Sequence, residues 1–201
     1  MNQVSGSDKI PKTARGKKTR EKLLQAAEIE FGEQGYHQAA VSGITKRAGV
    51  ALGTFYVYFD SKEEIFRSLV SYMGHLTRSW IAPRVADAPD RLTAERQGLA
   101  AFIEFVRQHK NLYRIVSEAQ FVADDAFHEY YETFAEAYRE NLARAAERGE
   151  IRSGDFGIWA WSMIGMAVFL GMRFGDWDDA RSADEVADAM ADLISRGLGH
   201  E

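Results

Sequence analysis

The sequence predicts an all-α protein, with a small N-terminal helix-turn-helix domain followed by a larger helical domain. Three observations predict this class. Apolar residues recur at the spacing of one helix face, no stretch alternates with the two-residue period of a half-buried strand, and glycine or proline separates the helical segments. Of the 201 residues, 46% are hydrophobic, which is ordinary for packed globular domains. We expect three short helices in front and about six longer ones behind.

The front of the chain divides into an arm and a small helical domain. Residues 1–16 are polar and basic, and they are predicted to form a flexible arm that is either solvated or follows DNA, as other basic arms do. Residues 17–62 are expected to form the small domain. Its first helix is predicted to begin near Thr19 and to stop at Gly32 or Gly35, because glycine can end a helix in the left-handed conformation.

Two short helices joined by a glycine turn complete this domain. They are predicted near Val41–Arg47 and over Leu52–Tyr58, with Gly49 in the turn. A helix that crosses the DNA backbone, a turn that admits glycine and a second helix that reaches base edges are the parts of a helix-turn-helix. A fourth helix is predicted to follow Ser61 as N-cap, with Glu64 completing a capping box. The segment therefore predicts binding to duplex DNA in the major groove.

The outward-facing side chains of this segment are the candidate DNA contacts. On the second helix of the motif, two phenylalanines four residues apart mark the buried side, which leaves the other positions turned outward. Thr54 can bond a base or a phosphate, and Tyr56 and Tyr58 carry hydroxyls for phosphate oxygens. Lys62 adds a cation at the start of the next helix. The candidate DNA-binding residues are Ser42, Lys46, Leu52, Gly53, Thr54, Tyr56, Tyr58 and Lys62.

The distribution of charge agrees with this prediction although the net charge of −5 does not. Affinity for DNA comes largely from phosphate neutralisation by Lys and Arg. Residues 1–62 hold ten Lys and Arg against six Asp and Glu, a net of +4, which leaves −9 for the remainder. We therefore expect only the front to approach a polyanion.

The front also resembles a known family. The run from Ile44 to Phe66, ITKRAGVALGTFYVYFDSKEEIF, looks like the DNA-binding domain of the TetR family of bacterial repressors, and Ala26 to Phe31 with Gly35 and Tyr36 is similar to that family's first helix. The resemblance covers about the first third of the chain. It implies an all-helical homodimer whose rear domain dimerises through its last two helices and encloses a small-molecule pocket that controls DNA affinity.

The sequence departs from the family pattern at two helix starts. Ala40 and Ala51 stand where the family usually has Thr and Ser N-caps, and losing such a cap costs about 1 kcal/mol of local helix stability. Ser42 stands where a longer base-reading side chain often occurs in the family. We therefore expect less sequence readout from the first helix of the motif. On the second helix, Ala51, Leu52 and Gly53 lack hydrogen-bonding side chains, so specificity is expected to depend on Thr54, Ser42, Lys46, the arm and DNA shape.

Residues 63–201 are predicted to be the ligand-binding and dimerisation domain. Helices are expected near Arg91–His109, Asn111–Phe121, Asp124–Arg148, Phe156–Phe174 and Ala183–Gly197. These helices carry aromatic residues that could line an apolar pocket. Core packing is the better explanation for any single one, whereas the pocket is favoured for the group because the family resemblance implies a cavity there. The candidate ligand-binding residues are Phe102, Phe105, Tyr113, Phe121, Phe127, Tyr131, Phe134, Tyr138 and Met166. The expected effector is a small hydrophobic or acyl-type molecule.

One segment, Phe156–Met172, contains no charged residue over 17 positions. It is predicted to be a core or interface helix, and the alternative is a membrane span, for which it is short. Gly165 and Gly171 would let another helix approach closely, and the last helix carries an apolar stripe at Val186, Met190, Leu193 and Ile194. These features suggest a dimer seam, with an intrachain contact as the alternative. The absence of an apolar run in residues 1–16 leaves the cytoplasm, and no membrane partner, as the expectation.

The composition argues against catalysis and metal binding. There is no cysteine, and the five histidines form no two-histidine metal motif at helical spacing. Asp124, Asp125 and His128 lie within one turn, but acids near the start of an exposed helix explain them more simply. We therefore expect no enzyme activity, no cofactor and no metal. A DNA-binding protein without an effector and a helical interaction module remain as alternatives to the ligand-responsive regulator.

Overall fold

The computed structural model describes Lys9 and residues 11–198, which form nine α-helices, one π-helical turn and no strand, so the all-α prediction is confirmed. The turn, Met172–Trp177, follows α8 directly. The α-helices are α1 (Ala14–Gln38), α2 (Val41–Ala48), α3 (Leu52–Tyr58), α4 (Lys62–Val85), α5 (Arg91–Gln108), α6 (Lys110–Val122), α7 (Asp124–Glu147), α8 (Phe156–Gly171) and α9 (Ala183–Leu198).

The structure corrects two expectations about helix length. Helix α1 has 25 residues rather than being short, and it begins at Ala14 because the Thr13 side chain caps it by accepting from the Gly16 amide at 3.1 Å. The last residues assigned to the arm are thus helical, and residues 1–8 and 10 lie outside the described residues. The sequence also predicts a loop beyond Trp80, marked by Pro83 and Pro89, but Pro83 does not open one. It lies inside α4, which continues to Val85.

Helix α1 is broken near its end by Gly35. This residue has φ 72° and ψ 163°, a conformation that is open to glycine and strained for other residues, and one helical turn resumes after it. The break leaves the amide of Tyr36 without its regular helical acceptor, and a side chain from α6 supplies one instead.

The front helices and the front of the rear domain share one hydrophobic core. Phe31 of α1, Phe55 of α3, Phe66 of α4 and Phe105 of α5 are all essentially inaccessible to solvent and belong to one buried cluster. A second cluster joins α5, α8 and α9, and a small third one lies between α7 and α8. Because α4 runs without interruption from one domain into the other, movement in the rear domain can reach the front through packed side chains.

Candidate functional site

The helix-turn-helix is held together by apolar side chains on its inner face. Ile44 of α2, Phe55 of α3 and Phe59 just after α3 are fully buried, as the spacing predicted. Gly49 ends α2 with φ 66°, so the turn uses the left-handed conformation that the sequence indicated. The opposite face of α3 remains free to meet a partner.

The two helices of the motif begin without side-chain caps. Ala40 precedes α2 and Ala51 precedes α3, and neither supplies a capping hydrogen bond. The start of α3 is held only by the backbone, where the Thr54 amide donates to the Ala51 carbonyl at 2.9 Å. By contrast, Ser61 caps α4 by accepting from the Glu64 amide at 3.1 Å, which confirms the predicted N-cap. The amides at the start of α3 are therefore open to other acceptors.

The predicted DNA contacts lie along the outer surface of α2 and α3. Half of the Tyr56 side chain is exposed, and the Leu52 side chain is equally accessible. The exposed candidates are Ser42, Lys46, Leu52, Gly53 and Tyr56, and the half-buried ones are Thr54, Tyr58 and Lys62. The structure thus brings all eight to one end of the molecule, and their contacts with DNA stay a prediction.

Lys62 has a structural role besides the predicted one. Its ammonium donates to the carbonyl of Tyr36 at 2.7 Å and to that of Ala39 at 3.0 Å, and it lies 4.3 Å from the centre of the Tyr36 ring. Two of its three N–H groups are therefore used inside the protein, which leaves one for a phosphate. The lysine ties the end of α1 to the start of α4.

Two cations near the motif were not among the predicted contacts. Lys9 donates to the Tyr56 carbonyl at 3.2 Å and pairs with the Asp60 carboxylate, so part of the predicted arm lies against the end of α3. Arg47 is directed inward, where its Nε donates to Glu30 at 2.7 Å and its Nη2 pairs with Glu33. These contacts join segments far apart in sequence, and no local pattern reveals them.

The rear domain contains a partly open cavity of about 340 Å³ between α4, α5, α7 and α8, to which Met190 of α9 also contributes. Its walls are mainly apolar. Aliphatic and small residues supply most of the lining, among them Ile81, Val85, Ala94, Gly98, Leu99, Ala137, Met163, Ile164, Ala167 and Val168. A concave space of this size and composition suits a small, largely apolar molecule.

Four of the nine predicted ligand-binding residues line this cavity: Phe102, Tyr131, Phe134 and Tyr138. The other five do not. Phe121 is 84% exposed on the surface of α6, so the structure does not bring it to this cavity. Phe105 is fully buried against Trp80 and His109, and Phe127 packs against Tyr131 in the same core, so both contribute to packing. The remaining two, Tyr113 and Met166, lie behind the lining.

Tyr113 nevertheless touches the wall of the cavity from behind. Its hydroxyl donates to the carbonyl of Val168, a lining residue, at 2.7 Å. Burial raises the pKa of the Tyr113 phenol, which therefore stays protonated and acts as a donor. This bond joins α6 to α8.

A buried ionic cluster lies at the end of the cavity formed by the start of α5. Arg91 donates from Nε to Glu95 at 2.6 Å, and the Tyr138 hydroxyl donates to the other oxygen of the same carboxylate. The Arg91 guanidinium also lies 5.0 Å from the centre of the Tyr138 ring. Burial, reinforced by the neighbouring carboxylate, raises the pKa of Tyr138 well above its ordinary value. Because the three groups bond one another and the charges of Arg91 and Glu95 compensate, this end of the cavity is polar but carries no unpaired charge.

Helix α8 carries an apolar stripe that no described part of the chain covers. Ile158, Trp161 and Phe169 are 64%, 46% and 66% exposed, and a methyl group added at Gly165 would meet no atom within 4 Å. The predicted stripe on α9 is turned the other way, since only Leu193 of its four residues is exposed and the others pack against α5. Gly171 likewise serves an intrachain approach, because a Cβ there would lie 2.7 Å from the Phe102 ring.

By length and composition, the segment Phe156–Trp177 could also cross a membrane, and 22% of its most apolar window is buried in the fold. Its apolar character is divided between an inner face, which packs on α5 and α7, and the open stripe. Arg173, within this segment, pairs with Asp178 just beyond it at 2.8 Å. Two charged residues near its end thus lie in an ion pair.

The acidic cluster at the start of α7 is occupied by ion pairs. Asp125 pairs with Arg67, which holds the pKa of that carboxyl below its usual value, and Asp124 lies 3.5 Å from His128. Among the described residues, no group of three or more metal-ligating side chains comes together.

Comparisons with known proteins agree with this architecture. The profile of the family "Bacterial regulatory proteins, tetR family" matches residues 23–69. The uncharacterized HTH-type transcriptional regulator YdgC of Bacillus subtilis is 30% identical over 185 residues, which cover 88% of this chain and 93% of YdgC.

Two solved structures share the fold. The FadR regulator of Bacillus subtilis, in complex with stearoyl-CoA, is 22% identical with a TM-score of 0.77 over 88% of this chain and 98% of that chain. The fatty acid degradation regulator FadR of Bacillus halodurans is 23% identical, with a TM-score of 0.78, over 96% of this chain and 100% of that chain. At this level of identity the two structures show the fold alone. The assignment to a family rests on YdgC and the family profile. The chain belongs to the tetR family of bacterial regulatory proteins and is a helix-turn-helix transcriptional regulator.

Proposed function

We propose that this regulator is a homodimeric repressor that binds a palindromic operator and is released by a small, largely apolar effector. The observation that carries the proposal is the cavity of about 340 Å³ in the domain behind the helix-turn-helix. A ligand can shift DNA affinity only if it binds one conformation better than the other. A cavity bounded by α4, which itself runs into the DNA-binding domain, supports the proposal because a ligand there contacts a helix shared by both domains.

The DNA contacts in this proposal divide into two classes. Tyr56 and Lys62 bind phosphates and set the position of α3, while Thr54 and Lys46 supply the base-directed groups. Leu52 and Gly53 offer no hydrogen-bonding side chain, so the backbone of α3 comes close to the groove. Deformability of the operator then contributes to specificity.

The dimer in this proposal forms through the open stripe of α8. Two recognition helices must reach half-sites about 34 to 36 Å apart, or a multiple of that spacing, so a second copy is required. An apolar stripe of this kind on a protein surface marks an interaction site. A second copy fits it because the two stripes would be identical and self-complementary about a twofold axis.

The effector in this proposal is acyl-type, and the setting is the cytoplasm. The lining is nearly all apolar, and the FadR neighbour was solved with stearoyl-CoA bound. Pairing of the α8 stripe with a second copy accounts for its hydrophobicity without a membrane. The proposal requires neither a metal, a cofactor nor catalysis.

Operator binding is tested by fluorescence anisotropy of a labelled duplex from the region upstream of the chain's own gene, at rising salt. We expect Lys46→Ala to reduce the slope of log K against log salt by about 1, because the variant lacks one cation that releases counterions from the DNA. Tyr56→Phe removes one hydroxyl and should weaken binding about three- to tenfold. Tyr72→Ala, on the exposed surface of α4, is the matched control. Wild-type binding by both variants would contradict the contact assignment.

The dimer is tested by light scattering after size-exclusion chromatography. Phe169→Asp places a charge on the open α8 stripe and should produce a monomer. Phe121→Asp changes an exposed phenylalanine on α6 and should leave the dimer intact. A dimeric Phe169→Asp protein would contradict dimerisation through the α8 stripe.

The effector is tested by adding apolar compounds to the protein bound to its duplex. Release of the duplex supports an effector, and retention of the duplex with every such compound would favour a regulator without one.

A further inference from the structure

The apolar cavity adjoins a second, polar space. A cleft of about 650 Å³ lies between α1, α4 and α7, and Arg78 and Tyr130 line both it and the cavity. The cleft is bounded on the α1 side by Arg20 and Leu24. A molecule that extends from the cavity past Arg78 would therefore enter a space with one wall in the DNA-binding domain.

Arg78 is a cation at this junction without an acidic partner. Its guanidinium lies 5.3 Å from the centre of the Phe134 ring, and its Nη2 is 3.2 Å from Nδ1 of His75. Among the described residues, no carboxylate lies within ion-pair distance of it, whereas Arg67 in the cleft and Arg91 at the far end of the cavity are both paired. A half-buried guanidinium with free N–H groups is a ready donor to a carbonyl or carboxylate oxygen.

The cavity extends from this junction along α7. Tyr130 and Arg78 lie at one end, and Asn141 and Arg91 lie at the other. The distance from Tyr130 to Asn141 along the helix is about 16 Å at the rise of about 1.5 Å per residue. With C–C bonds of about 1.5 Å, an extended alkyl chain advances about 1.3 Å per carbon, so a chain of about twelve carbons spans this length.

From these observations we infer that the effector is a straight-chain acyl compound of about twelve carbons, whose carbonyl end is bound by Arg78 and whose head group occupies the α1–α4–α7 cleft. The inference rests on the proposed function for the existence of an effector and adds its shape and polarity. A free fatty acid and an acyl thioester share the acyl carbonyl, and the cleft has room for the larger head group of a thioester. In both cases the polar end lies next to α1, so binding directly affects the placement of the DNA-binding domain.

The experiment is isothermal titration calorimetry of the full-length protein with saturated acyl chains of graded length, as free acids and separately as coenzyme A thioesters. We expect the tightest binding near twelve carbons in at least one series. Arg78→Gln should weaken binding about ten- to hundredfold at every length, because one charge-assisted donor is lost. Arg84→Gln is the matched control, since this exposed arginine on the same helix lies over Trp80 and outside the cavity.

A second variant tests the orientation of the chain. Ala94 lines the end of the cavity away from Arg78, and Ala94→Leu should move the optimum to chains about three carbons shorter, because the larger isobutyl side chain of leucine fills that end. Thermal melting and operator binding of each variant verify that it is folded. Arg78→Gln then lowers affinity without moving the optimum, and Ala94→Leu moves the optimum without abolishing binding.

The two series distinguish the sources of the acyl group. Tighter binding of thioesters than of acids supports a thioester effector, and the reverse supports a free acid. Two results would overturn the inference. One is wild-type affinity for acyl chains in Arg78→Gln, and the other is affinity that keeps rising with chain length up to the longest chain. If no acyl compound binds while another apolar compound releases the operator, the inference fails together with the acyl class of the effector, and the proposed repressor released by an apolar effector stands. If no apolar compound of any class releases the operator, the effector part of the proposed function itself fails.

Discussion

Removal of the Glu118 carboxylate should loosen the end of α1. Both of its oxygens lie 2.9 Å from the amide nitrogen of Tyr36, the residue that follows the helix break at Gly35. Lys62 holds the carbonyl of the same Tyr36 from the other side. The peptide unit after the break is therefore fixed by one side chain from the rear domain and one from α4.

The magnitude follows from the type of bond. A hydrogen bond to a charged group contributes about 1.5–3 kcal/mol. Because Glu118 is half-buried, solvent screens its charge, and the lower end of that range applies. We therefore expect Glu118→Ala to lower the free energy of unfolding by about 1.5 kcal/mol. For a chain of this size, that corresponds to a decrease in Tm of about 3–6 °C. Glu118→Gln keeps an oxygen acceptor without the charge and should lose less than half as much.

The assay is urea unfolding followed by far-ultraviolet circular dichroism. Glu104→Ala, an exposed glutamate on α5, is the matched control and should remain within about 0.5 kcal/mol of wild type. The slope of the transition should be unchanged in all variants, since the surface exposed on unfolding is the same. If Glu118→Ala unfolds at the wild-type urea concentration, the carboxylate does not stabilise the helix break and the reasoning is refuted.

Three further changes test other parts of the structure by the same unfolding assay. Glu95→Ala leaves Arg91 buried without its carboxylate and should cost about 3–5 kcal/mol, while a loss below 1 kcal/mol would contradict the buried pair. Because burial raises the pKa of Tyr138, the folded state keeps a proton that the unfolded state releases, so stability is full below about pH 10 and falls as pH rises above it. Tyr138→Phe should flatten that decline. An unchanged slope of stability against pH in this variant would contradict a raised pKa of Tyr138. Gly35→Ala should cost about 1–3 kcal/mol, because alanine is strained at φ 72°.

Sequence alone predicts the helices well because their signals are local. Helix α3 has the predicted ends, Leu52 and Tyr58, and the capping serine of α4 was identified from its spacing to Glu64. The start of α1 was missed although Thr13 is a plausible cap, because the basic residues around it resemble a flexible arm. The error concerns a helix end, where local signals are weakest.

The cavity could be predicted only as a property of the domain. Phe102 and Phe105 are three positions apart on α5, yet the first lines the cavity and the second is in the core, since neighbouring helices surround α5 on both sides. Sequence periodicity identifies an apolar face but not what covers it. The same limit explains α9, whose stripe packs within the chain while α8 keeps the open face. Small lining residues such as Ala94 and Gly98 carry no sequence signal at all.

A path of contacts links the cavity wall to the DNA-binding domain through α6. Tyr113 of this helix bonds the Val168 carbonyl at the cavity, and Glu118 of the same helix bonds the end of α1. If effector binding acts through this path, Tyr113→Phe should leave effector-free operator affinity unchanged and raise the effector concentration for half-release about fivefold. Tyr131→Phe removes a lining hydroxyl on α7 instead. An equal shift in both variants would locate the effect in ligand binding and not in α6.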